Sequence, residues 1–66
     1  MNAAAARSEI RSALGNRYFA ENDMTAQGLH VDFYDVDQVA KKIGKAATKK
    51  LFASAQVTDK GFFFKA

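Results

Sequence analysis

His30 and Asp32 stand two residues apart in the segment Leu29-His30-Val31-Asp32-Phe33-Tyr34. On a strand, residues at that spacing leave the same face, and an imidazole beside a carboxylate is the start of an acid–base relay. A relay also needs a group to activate, and no serine or cysteine stands near the pair. The chain has one histidine and no cysteine, which excludes a paired-histidine zinc site, a thiolate metal site and a disulfide framework. No catalytic residue, metal ligand or cofactor is therefore expected, and His30 reads as a surface residue.

The lysines make a stronger pattern. Lys41, Lys45 and Lys49 are each four apart, so a continuous helix would stack them along one line, flanked by Lys42 and Lys50. Asp37 is placed to pair with Lys41, but Lys45 and Lys49 have no acidic residue three or four positions away. Like charges at that spacing cost a few tenths of a kcal/mol each. The helix dipole offsets this for Lys49 and Lys50, near the expected C-terminus, and not for Lys41, Lys42 and Lys45. A row of ammonium groups fits phosphates, or an acidic protein surface, equally well. The net charge of +3 hides the asymmetry. Residues 1–40 carry three arginines against six carboxylates, while residues 41–66 carry seven lysines against Asp59 alone. Such polarity points to a charged partner.

Aromatic residues supply the third candidate surface. Tyr18, Tyr34 and Phe63 are expected to point away from the helices, beside His30, on an open sheet face. Exposed rings there would stack on unpaired bases, anchor a protein interface, or be covered by a second copy in a homodimer.

The elements that must position these residues follow from periodicity. Residues 3–14 read as a helix: Asn2 is a suitable N-cap, the alanines are strong helix formers, and Gly15 suits the C-terminal stop. Residues 17–22 and 29–34 read as two strands, with turn chemistry between them over 23–28. Residues 36–54 read as one long helix, capped by Asp35 with Gln38 as its capping-box partner. Its apolar stripe is Val36, Val39, Ala40, Ile43, Ala47, Leu51 and Ala55, with Gly44 marking a close approach or a break. Residues 61–65 form a last strand after a turn at Asp59-Lys60.

The expected architecture is one α+β domain over residues 1–66, in the order α-β-β-α-β. It has a three-stranded antiparallel sheet of order 2-1-3, with both helices on one face against Phe19, Leu29, Val31, Phe33, Phe62 and Phe64. A chain of 66 residues buries only about 60% of its unfolded surface, so its stability is marginal. Hydrophobic residues at 48% and charged residues at 26% are ordinary for a globular domain. No apolar run approaches the roughly 18 residues of a membrane span. The start lacks the apolar core of a signal peptide, so a cytoplasmic location is expected.

Three segments resemble known families. Lys60-Gly61-Phe62-Phe63-Phe64 resembles the Lys-Gly-Phe-x-Phe part of the RNA-recognition-motif signature, although it follows the last helix here rather than preceding the second. Val39-Ala40-Lys41-Lys42-Ile43-Gly44 resembles the first half of a helix-turn-helix. That resemblance makes residues 45–52 the recognition helix and Gly61-Phe62-Phe63-Phe64 a wing. Lys50 occupies the next expected apolar position, and Leu51 comes one residue late. Finally, Ser8-Glu9-Ile10-Arg11-Ser12-Ala13-Leu14 followed by a hairpin ending Val31-Asp32-Phe33-Tyr34-Asp35 is similar to small helix-hairpin-helix modules of phages and mobile elements. That last likeness implies a stand-alone inhibitor of host nucleic-acid-handling machinery, of the anti-CRISPR type. The resulting expectation is a non-enzymatic binding protein that docks through the lysine face and the aromatic face. Direct DNA or RNA binding is the alternative.

Overall fold

The computed structural model of the chain describes residues 1–15 and 24–66. The expected strand over residues 17–22, with Tyr18 and Phe19, lies outside them.

Helix α1 (Ala3–Leu14) begins and ends where residue chemistry dictates. The Asn2 side-chain oxygen accepts the Ala5 N–H at 2.9 Å, and Gly15 closes the helix at φ 102° with its N–H on the Arg11 carbonyl. Ala3, Ala6 and Ile10 fall at helical spacing and are fully covered. The two alanine methyls let this helix approach the rest of the core closely, while Ile10 supplies most of its buried bulk.

Strand β1 (Gly28–Asp32) follows a turn closed by reciprocal backbone bonds between Thr25 and Gly28. Helix α2 (Phe33–Ile43) starts at once, then α3 (Lys45–Leu51), a short strand β2 (Gln56–Val57) and strand β3 (Gly61–Lys65). The sheet order is β1-β3-β2, antiparallel throughout. The α+β class and the three-stranded antiparallel sheet are as the sequence indicates. The final strand, however, pairs along its whole length with β1, matching Leu29 to Phe64 and Val31 to Phe62. Its other edge takes β2, a strand not expected from sequence. Two residues are too few to show an alternating pattern.

Gly28 is required by this pairing. It sits at φ 151°, and a Cβ there would overlap the Phe64 carbonyl and come within 2.9 Å of the Phe63 ring. The ring instead lies across the bare glycine on the open face.

The helices cover the opposite face. Leu29, Val31 and Phe64 are buried with Ala3, Ala6, Ile10, Val39, Leu51 and Phe52. Phe52 lies against both Phe62 and Phe64, with ring centroids 5.0 and 5.5 Å apart, and Phe33 meets Phe62 edge-on at 5.8 Å. The inward facing of Phe62 and Phe64, with Phe63 opposite, is as expected.

Two boundaries differ from the sequence reading. The strand stops at Asp32 rather than Tyr34, and the helix starts at Phe33 with Asp32 as its N-cap, so Asp35 lies in the first turn. Phe33, Val36, Val39, Ala40 and Ile43 recur at three and four, so Phe33 belongs to the helical stripe as well as to the alternation of Leu29 and Val31. Its N–H donates to the Lys60 carbonyl at 3.0 Å, which carries the β1–β3 register one position further and satisfies one of the donors that a helix start leaves free. The expected Asp35–Gln38 capping box is accordingly absent, and Asp32 makes no side-chain cap bond.

The expected continuous helix over 36–54 is divided at Gly44, which has φ 89° and ψ 160°. Its N–H caps α2 on the Ala40 carbonyl, and its own carbonyl accepts both the backbone N–H and the hydroxyl of Thr48 at the start of α3. The break reorients the second half of the stripe. Thr48, Leu51 and Phe52 are buried, while Ala47 is exposed.

Candidate basic surface and hairpin brace

All five candidate lysines are exposed, and none is paired with a carboxylate among the described residues. The expected Asp37–Lys41 pair does not form. They do not lie along one helix, because Gly44 separates Lys41 and Lys42 from Lys45, Lys49 and Lys50. The break also changes what each charge costs. Lys41 and Lys42 occupy the last turn of α2, and Lys49 and Lys50 the last turn of α3, where cations are favoured by the helix dipole. Lys45 opens α3, the unfavourable end, and no acidic residue shares that first turn. It is the one lysine whose position local stability opposes.

Tyr34 is not on the sheet. It projects from the first turn of α2 and is 70% exposed. With Asp37, Gln38, Ala40, Lys41 and Lys45 it lines a shallow hollow of about 350 Å³ that spans the α2–α3 break. The expected aromatic face of Tyr18, Tyr34, His30 and Phe63 is therefore not assembled. Tyr18 lies outside the described residues, Tyr34 is on a helix, and Phe63 is half-buried over Gly28. The cause is the early helix start, which removes Tyr34 from the strand alternation. The structure instead joins an aromatic ring to two of the lysines, a combination the sequence reading kept on separate surfaces.

His30 and Asp32 do meet, with Nδ1 to Oδ1 at 3.3 Å, and the hydroxyl missing from the sequence reading is Thr58. Its Oγ1 lies 3.0 Å from His30 Nε2 and also accepts the N–H groups of Gly61 at 3.0 Å and Lys60 at 3.3 Å. A hydroxyl has two acceptor sites and one proton. With both acceptor sites taken by backbone, Thr58 is left its one proton to share with Nε2. The order carboxylate–imidazole–hydroxyl is that of an activated nucleophile. Here the oxygen's lone pairs are already spent on the β2–β3 turn, so the arrangement is a brace. The signal for it was a threonine just ahead of Asp59-Lys60-Gly61, a common hydroxyl-stabilised turn.

Burial raises the Asp35 carboxyl above its ordinary pKa of 3.8. The folded state then holds that proton more tightly than the unfolded chain. The group's contribution to stability is complete below 3.8 and is lost as pH rises through the raised value. Among the described residues no group of three or more His, Cys, Asp or Glu side chains is gathered as a metal site, and no helix is long and apolar enough to cross a membrane. Compared with known proteins, the chain matches no family model, no curated protein and no solved structure.

Proposed function

We propose that this chain is a DNA-binding module that works by docking rather than catalysis, with α3 presented to duplex DNA. The observation that carries the reading is Lys45: exposed, set against the dipole of its own helix and, like the four lysines that flank it, without a carboxylate partner among the described residues. A nearby phosphate would relieve each of these costs. The order of elements supports it. Two helices joined at a glycine and followed by an antiparallel hairpin have the element order of a helix-turn-helix with a wing. The one-residue turn at Gly44 is shorter than the usual three or four, and the buried positions of α3 are Thr48 and Leu51 rather than residue 50. An α-helix fits the roughly 12 Å major groove of B-form DNA, whereas the corresponding groove of duplex RNA is too narrow.

The test is fluorescence anisotropy with a labelled DNA duplex at low salt, comparing wild type with Lys45→Gln/Lys49→Gln. The double variant is expected to lose about tenfold or more in affinity, with unchanged circular dichroism. Absence of binding by the wild type at low salt removes the reading.

One observation favours a second reading, an inhibitor that docks on an acidic surface of nucleic-acid-handling machinery. Tyr34 beside Lys41 and Lys45 is the kind of aromatic anchor with a charged rim that protein interfaces use. Tyr34→Ala discriminates between the two. It would weaken protein docking by tenfold or more, on the order of a hot-spot loss, and leave DNA affinity within about threefold if phosphate contacts dominate.

A further inference from the structure

We infer that α3 reads the DNA backbone and not the base sequence. This rests on the DNA-binding reading and specifies its ligand: duplex DNA of any sequence. Base recognition in the major groove depends on side chains that make paired hydrogen bonds to base edges, chiefly arginine to guanine and asparagine or glutamine to adenine. The exposed residues of α3 are Lys45, Ala46, Ala47, Lys49 and Lys50. None carries a planar two-pronged donor. The one hydroxyl-bearing residue of the helix, Thr48, is buried and donates its proton to the Gly44 carbonyl. The hairpin turn adds Lys60, and its threonine is engaged in the His30 brace.

Lysine is suited to the other task. Its ammonium is a compact charge on a flexible stem, able to follow phosphates without the fixed geometry that arginine imposes. Contacts of that kind orient a protein on DNA and carry no sequence information. The two alanines offer only methyl groups, and a thymine methyl is the one base feature they would meet. Across Lys41, Lys42, Lys45, Lys49 and Lys50, affinity should follow counterion release. Five neutralised phosphates give a slope of about −4.5 for log affinity against log salt, or about 500-fold between 50 and 200 mM.

The experiment is competition binding by the full chain with AT-rich, GC-rich and mixed-sequence duplexes of equal length, repeated across a salt series and with Lys45→Gln and Lys49→Gln singly. The expected result is that all duplexes agree within about threefold, and that each variant weakens all of them alike while lowering the slope by about one. A duplex preferred by more than about tenfold overturns this inference and leaves the DNA-binding reading standing, since one good base contact is worth that much. A variant that changes the ranking of the duplexes overturns it as well. Absence of binding to every duplex at 50 mM salt removes both.

Discussion

At the scale of single residues, Thr58 does more for the fold than its half-exposed position suggests. One hydroxyl closes the β2–β3 turn through the Lys60 and Gly61 N–H groups and ties that turn to β1 through His30. Gly61 is buried, so its N–H has no ready substitute partner in water. Thr58→Val keeps the shape and removes the oxygen. It is expected to destabilise the protein by about 1–3 kcal/mol, the cost of leaving a buried donor unsatisfied. Thr58→Ser keeps the oxygen and should stay within about 0.5 kcal/mol of wild type. Urea denaturation of the three proteins measures this, and equal midpoints for Val and Thr would show that the network contributes nothing. The His30–Asp32 half of the brace was legible in the sequence, because period two puts those residues on one face. The Thr58 half was not, because it depends on how β3 registers against two other strands, and register is a tertiary fact.

At the scale of elements, the informative residue is Gly44. A mid-helix glycine read from sequence alone is a defect of roughly 1 kcal/mol, which alanine should repair. The structure implies the opposite. At φ 89° and ψ 160° the backbone is in a region that glycine nearly monopolises, although the space around a Cβ is open. Gly44→Ala is expected to destabilise by about 1–3 kcal/mol through backbone strain alone. Thermal unfolding followed at 222 nm decides it; a stabilised alanine variant would mean that α2 and α3 join into one helix. The helix over residues 3–14 and the final strand over 61–65 were legible to the residue, because Asn2 and Gly15 bound the helix, and the strand is a run of three phenylalanines opened by Gly61 after the turn at Asp59-Lys60. The junction at Asp32–Phe33 was not. Phe33 satisfies the strand period and the helix period at once, and its N–H bond to the Lys60 carbonyl suits either, so residue types alone do not place the boundary. Tyr34 leaves the sheet at the same junction, and the expected aromatic surface is lost with it.

At the scale of the whole molecule, class and charge were readable early, while the arrangement of charges depended on a break that composition cannot reveal. Seven lysines against one carboxylate in residues 41–66 leave that half of the domain repelling itself in the absence of a partner. None of the five lysines on α2 and α3 is relieved by a carboxylate among the described residues. Two opposite salt effects follow. For the free protein, screening weakens the repulsion. Raising sodium chloride from 20 to 300 mM should then stabilise the fold by about 0.5–1 kcal/mol, a few degrees of melting temperature in a domain of this size. For the protein with excess duplex DNA, the same salt releases the ligand, and the stabilisation that binding supplies, about 2.7 kcal/mol at a hundredfold excess over the dissociation constant, disappears. Melting curves with and without DNA should therefore slope in opposite directions with salt and converge at high ionic strength. A free protein that loses stability as salt rises would mean its lysines are held by attractive contacts, and an anionic ligand would then relieve no repulsion.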